Sequence, residues 1–262
     1  AVVVLLFIGY NIYRHPAAFR NLSDASLSDE AVGELRDEIA AMEDKQALVA
    51  YFSYSNTTRG IATALSEEIG ADLFEISPQE EYSDLYMRSN REIRNNERPA
   101  LSGSVENMEE YEVVFIGFPV WWHATPAPVN TFLESYDLSG KLIIPFCTSG
   151  GSDISEAMPT FLNSCEGLAV YGGRRIGGTS ELQTWLEDLN LNLSGSQTVS
   201  DITEDLEANE TSQAETPLEE IPAEYLKPAA QQGEVVRLDY ETSTYEDQNE
   251  PLSKFAYVYL PY

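Results

Sequence analysis

Three short clusters in this 262-residue chain hold residue types that bind or transform a small molecule. The first is Ser53-Tyr54-Ser55-Asn56-Thr57-Thr58. Its hydroxyls and amide follow an apolar run and precede a helical stretch, where free N–H groups and the helix dipole favour an anion. No Lys or Arg stands inside the cluster and Arg59 is only adjacent, so it suits one terminal phosphate held by neutral donors. A plainly capped turn would use the same residue types. The second cluster is Pro119-Val120-Trp121-Trp122-His123-Ala124-Thr125-Pro126. Trp is costly to expose and offers a flat stacking face, so two in succession point to a planar ring ligand; a hydrophobic cover or a protein interface is the plainer alternative. His123 alone reads as an ordinary loop histidine. The third is Thr148-Ser149-Gly150-Gly151-Ser152-Asp153, whose glycines either let backbone approach a ligand closely or make a tight turn.

Other chemistries fail on spacing. Neither G-x-x-x-x-G-K-[ST] nor G-x-G-x-x-G occurs. A phosphatase loop from Cys147 would need Arg where Asp153 stands, and a G-x-S-x-G elbow on Ser152 would need Gly where Ile154 stands. Cys147 therefore reads as a small buried hydrophobe, and a Cys147–Cys165 disulfide is open but unneeded. Two cysteines and two histidines leave no metal centre to expect.

The elements that must position these clusters alternate. Ala47–Phe52, Ala71–Ile76, Glu112–Phe118, Lys141–Phe146 and a segment within Gly167–Ile176 are short apolar runs of the kind buried on both faces of a sheet. Helical stretches lie between them, at Arg59–Ile69, Thr125–Tyr136 and Asp153–Leu162, with a last one opening at Gly178. This pattern predicts an α/β, doubly wound domain over 46–190, with a five-stranded parallel sheet. Such sheets bind ligands beyond the carboxyl ends of their strands, which is where the three clusters fall.

With those residues in place, 46–178 resembles the flavodoxin family, and most of all a bacterial flavodoxin-like subgroup with an insertion after the second strand. The likeness rests on the loop Ser53–Thr58, on Gly117-Phe118-Pro119-Val120-Trp121-Trp122, on Pro145-Phe146-Cys147-Thr148-Ser149-Gly150-Gly151-Ser152, and on Asn95-Asn96-Glu97-Arg98-Pro99-Ala100-Leu101. It implies strand order 2-1-3-4-5 and bound FMN. Ser53, Ser55, Asn56, Thr57 and Thr58, with Tyr54 among them, would hold the 5′-phosphate. Pro119, Val120, Trp121, Trp122 and His123, with Ala124, would flank the isoalloxazine. Thr148, Ser149, Gly150 and Gly151, with Ser152, would line its other side. Asn56 departs from the usual pattern, which has Gly there. The insertion, 77–104, holds Glu80, Tyr82, Tyr86, Arg88, Arg91, Arg94 and Arg98; the resemblance implies that it covers the flavin edge, and it reads as a solvated helix with paired charges or as a lid contacting a substrate or redox partner.

The net charge of −29 argues against nucleic acid and against docking on an anionic membrane surface. Residues 46–190 alone carry 21 acids against 8 bases, a field that disfavours an anionic reduced flavin and steers basic partners. Residues 1–13 are apolar and read as the end of a truncated transmembrane or signal segment, so a membrane anchor upstream of residue 14 is expected; a buried strand or short core helix is the alternative. Arg14, His15 and Arg20 then favour a cytoplasmic domain by the positive-inside tendency. Residues 14–45 read as a connecting helix with Ala31, Leu35, Ile39 and Met42 on one face, and 191–232 as a flexible acidic linker. Residues 233–262 read as two opening strands of a β-rich second domain, or as a terminal hairpin on the first. Tyr257-Val258-Tyr259-Leu260-Pro261 is similar to the start of esterase-like domains, which would place the chain outside the cytoplasm, though no hydrolase activity is expected of the part present. The expected function is an FMN-binding electron-transfer module with a redox partner protein or membrane electron donor. The alternatives are an FMN-dependent NAD(P)H:quinone-type reductase and a cofactor-free interaction module.

Overall fold

The computed structural model describes residues 2–18, 20–193, 234–243 and 251–260, with backbone alone for 2–7 and the last two stretches. The chain divides into two units, Ala1–Glu204 and Asp205–Tyr262.

The first unit is built on strands β1 (Ala47–Tyr51), β2 (Asp72–Glu75), β3 (Val113–Pro119), β4 (Leu142–Thr148), β5 (Ala169–Val170) and β6 (Arg174–Arg175). They pair in parallel in the order β2-β1-β3-β4-β5, with β6 also against β4. This is the expected doubly wound sheet, with its fifth position split in two. Gly172 lies in the break: it holds φ +62, and a Cβ there would lie 2.3 Å from the Leu189 side chain. The chain leaves the sheet at Tyr171 and rejoins it at Arg174.

Helices cover both faces. α2 (Asp29–Ala40), α3 (Thr57–Ile69) and α7 (Leu182–Leu189) lie on one side; α5 (Ala127–Glu134) and α6 (Met158–Leu162) lie on the other. Strand residues alternate between the two cores. Val49, Phe115 and Ile144 face Ile61, Leu65 and Trp185, while Ala50, Ile116 and Ile143 belong to the core of Phe132 and Phe161. Burial on both faces is why these strands read as unbroken apolar runs.

The helix expected as a connector, α2, is capped by Ser28 and buries Val32 and Ile39 against the sheet. Its apolar stripe therefore runs through Val32 rather than Ala31, and Met42 lies exposed beyond its end. The insertion carries α4 (Leu85–Asn95) and is closed at its base by antiparallel pairing of Ser77–Pro78 with Leu101–Ser102. The apolar start of the chain is helix α1 (Val2–Arg14). Among the described residues, no helix is long and apolar enough to cross a membrane. Both cysteines are buried and unbonded to each other.

In the second unit, Glu234–Ser243 and Pro251–Leu260 form an antiparallel hairpin, as the two expected strands. The expected acidic linker lies outside the described residues except for Leu191, Asn192 and Leu193.

Candidate functional site

β1, β3 and β4 end side by side, so the loops after them meet at one edge of the sheet. Thr58 and Thr148 share a buried hydroxyl–hydroxyl hydrogen bond of 2.8 Å between the first and third loops. The Val120 N–H donates to the Thr148 carbonyl at 3.1 Å, joining the second and third. Trp121 sets its ring at right angles to Phe52, with centroids 5.1 Å apart, and lies 6.1 Å from Tyr54, joining the first and second.

The first loop has the features of an anion cradle. Asn56 holds φ +64, the left-handed region that Asn tolerates better than most residues, which accounts for Asn at a position usually given to Gly. No side chain caps α3 behind it, so the first amides of the helix have no partner there. The Ser53 hydroxyl oxygen is buried without a hydrogen-bond partner. Such a group carries a desolvation penalty of about 1–3 kcal/mol unless something meets it. Ser55 and Thr57 hold each other at 3.3 Å. The nearest cation, Arg59, is engaged by Glu75, Tyr51 and the loop's own Asn56 Oδ1. An anion bound here would meet neutral donors.

The second loop reverses at Trp122 and His123, with φ +53 and +58. Trp121 and Ala124 exchange two backbone hydrogen bonds of 3.1 and 2.9 Å across this turn. Left-handed Trp and His cost on the order of 1 kcal/mol or more each, and such residues persist only where neighbours over-determine them. Those neighbours come from outside the loop. The Trp122 Nε1–H donates to Ser89 Oγ of α4 at 2.9 Å, and its ring stands edge-on to Tyr86 and to Tyr13 of α1. His123 is gripped on both ring nitrogens. Arg14, which can only donate, reaches Nε2 at 3.3 Å, so Nε2 accepts and Nδ1–H donates to Glu156. His15 stacks on the same ring, with centroids 4.2 Å apart. The His123 hydrogen bond holds the Glu156 carboxyl below its ordinary value.

The third loop is a polar turn. Ser149 Oγ accepts the N–H groups of Gly151 and Ser152, at 3.2 and 2.8 Å. A Cβ on Gly150 or Gly151 would meet nothing within 4 Å, so open space faces this backbone. Asp153 caps the turn that follows, and Glu156 Oε1 accepts the Asp153 N–H at 3.2 Å.

The predicted residues thus lie on three converging loops, but the two tryptophans part company. Trp121 points in toward Phe52, Tyr54 and Tyr82; Trp122 points out toward the insertion and α1. The insertion supports the first of them through a buried cluster. The Tyr82 hydroxyl donates to Glu92 Oε2 at 2.6 Å, Arg88 donates to Glu92 Oε1 at 2.7 Å, and Arg88 lies 4.4 Å from the Tyr82 ring centroid. Burial first, then the Glu92 contact, pushes the Tyr82 hydroxyl far above its ordinary value. Sequence reasoning placed Tyr82 in the insertion without its bonding role and missed Glu92 and Glu156. The Asp153-x-x-Glu156 spacing is a capping-box signature and was a usable signal for the last. No cluster of three or more metal-ligating side chains occurs among the described residues.

Solved structures resemble this chain. The chain is 35% identical to a protein from Bacteroides eggerthii described as a flavoprotein, over 56% of this chain and 98% of that one, with a TM-score of 0.52. A counterpart from Bacteroides uniformis gives 34%, 55%, 99% and 0.51. A flavoprotein from Lactobacillus acidophilus, solved in complex with FMN, gives 27%, 55%, 99% and 0.47. No curated protein matches. The flavodoxin family profile matches residues 46–189, more than half of the chain, and the chain belongs to the flavodoxin family.

Proposed function

We propose that the chain binds FMN across the three loops and works as an electron-transfer module tethered to a membrane. Bound FMN would supply the capacity to take up and release electrons. The observation that carries the reading is the unmatched Ser53 hydroxyl beside the uncapped N-terminus of α3, at the meeting point of all three loops. Ser53, Ser55, Thr57 and Thr58 would meet the phosphate. Trp121 and the backbone around His123 would flank the ring on one side, and Gly150 and Gly151 on the other. The 21 acids against 8 bases over 46–190 would hold the bound flavin at a low potential and select basic partner surfaces.

The test is an absorbance titration of the full chain with FMN and, in parallel, riboflavin. Tight FMN binding with much weaker riboflavin binding supports the reading. Binding of neither overturns it and leaves a cofactor-free interaction module. A second reading, an FMN-dependent reductase of quinone-type acceptors, draws on the insertion, whose Tyr82, Tyr86 and Ser89 touch the tryptophans. NAD(P)H consumption with a quinone would separate it from the carrier.

A further inference from the structure

Helix α1 is exposed in a way that water does not favour. Ile8, Tyr10, Ile12 and Tyr13 are 47, 60, 38 and 40% exposed, and the preceding turns are Val2-Val3-Val4-Leu5-Leu6-Phe7 in sequence. A helix this rich in exposed apolar residues needs cover. Yet its exit is fixed to the domain rather than loosely joined. The Asn90 amide of α4 donates to the Tyr13 carbonyl at 2.7 Å, Arg20 donates to the Ile93 carbonyl at 3.0 Å, and Tyr13 and His15 pack on the rings of Trp122 and His123.

The surface around that exit differs from the rest of the molecule. In a chain of net charge −29, segments 14–22 and 85–96 carry Arg14, Arg20, Arg88, Arg91 and Arg94 against one acid, Glu92. That acid is buried and engaged by Arg88 and Tyr82. Met87, Arg91 and Arg94 follow helical spacing along one exposed side of α4, with Tyr86 and Met87 68 and 64% exposed. Arg91 also meets Glu97 at 3.3 Å, with over half of its side chain still in solvent. Beside Trp122, a mostly apolar recess of about 310 Å³ opens between Ala17, Leu22 and Pro159.

We infer that α1 and the exposed side of α4 form one collar that lies on an anionic lipid bilayer. α1 dips into the apolar layer, Tyr10, Tyr13 and Tyr86 sit at headgroup depth, and Arg14, Arg91 and Arg94 meet lipid phosphates. An aromatic ring beside clustered arginines is the pattern of a membrane–water interface. The arginines give this acidic protein a face attractive to anionic lipid. The loop carrying Trp121 and Trp122 is then held at the membrane surface. This inference rests on the tether reading above and goes further, by naming the face that touches lipid.

The test uses the full chain and vesicles of phosphatidylcholine with or without 30% phosphatidylserine. A Tyr86→Trp variant reports contact through quenching by brominated lipid. We expect its added emission to be quenched. We expect Arg91→Gln with Arg94→Gln to weaken binding to the anionic vesicles by roughly thirtyfold and binding to the neutral ones little. Both positions are exposed, and an unchanged thermal midpoint shows that the variants fold. Vesicle binding without quenching, or with equal affinity for both compositions in wild type and variant, overturns the collar and leaves α1 as a plain tether. No vesicle binding, or self-association that shields the introduced indole in its place, overturns the collar and the tether together. Flavin content affects none of these readouts.

Discussion

The phosphate end of the candidate site and its ring end are built differently. The loop Ser53–Thr58 is nearly self-sufficient: its donors, its left-handed Asn56 and the helix that follows lie within one short stretch. The loop Pro119–Pro126 is held from a distance. Its two left-handed residues are fixed by Tyr13 and Arg14, by Ser89 and Tyr86, and by Glu156. One end of a site can thus be inherited as a local motif while the other depends on segments distant in sequence. Selectivity for the phosphate and affinity for the ring should respond to different substitutions.

The largest effect should come from the ring end's buried support. Glu92→Ala removes the carboxylate that satisfies Tyr82 and Arg88, and breaking such a buried pair costs about 3–5 kcal/mol. A denaturant titration checks it. The preference for FMN over riboflavin should survive in whatever folds, because the phosphate loop is untouched; loss of that preference would dissolve the distinction between the two ends.

Next in size, Trp121→Ala should weaken FMN and riboflavin by the same factor, roughly thirtyfold, or about 2 kcal/mol of stacking. Unchanged FMN affinity in the Trp121→Ala, Trp122→Ala double variant would remove the stacking account. Ser53→Ala should lower FMN affinity about tenfold, leave riboflavin alone and not lower the thermal midpoint, since the hydroxyl it deletes has no partner in the protein. Equal losses for both flavins would show that Ser53 does not read the phosphate.

The smallest effect concerns acidification. Burial, then His123 and Arg14, hold the His15 imidazole below its ordinary 6.5. Docking of the segment at Tyr13–His15 therefore favours neutral His15. It should weaken as pH falls through about 6.5 and level off below the lowered value. Glu156 is also held low, so its contact with His123 persists through this range and is lost only in the acid region where carboxylates protonate. Tryptophan emission followed from pH 8 to 5 should show a step absent from His15→Gln. The same step in that variant would assign the change elsewhere.

Much of the fold was legible, for a physical reason. β1, β3 and β4 are covered on both faces, so Leu48-Val49-Ala50 and Val113-Val114-Phe115 admit no polar residue and stand out. The first loop's place between β1 and α3 was legible because it is local. Three features were not. The split of the fifth strand falls at Gly172, whose close approach to Leu189 joins residues 17 apart in sequence. The placing of α2 on the sheet needed Val32 and Ile39 to be weighed against a core whose shape no local pattern records. The grip of Tyr13 and His15 on the second loop joins distant parts of the chain and rests on single side chains with no periodicity. Capping-box spacing at Asp153 and Glu156 was readable, but its second use, to orient His123, was not.

Cys147 lies on β4 next to Thr148, directly beneath the third loop, and Cys165 is equally enclosed; burial pushes both thiols up to about 12. Enclosed and held protonated, both are poor nucleophiles toward a maleimide or in disulfide exchange. The same inertness makes the two sulfurs a clock: they should become modifiable only when the sheet opens, so the rate of alkylation in the native protein reports global unfolding without an added probe.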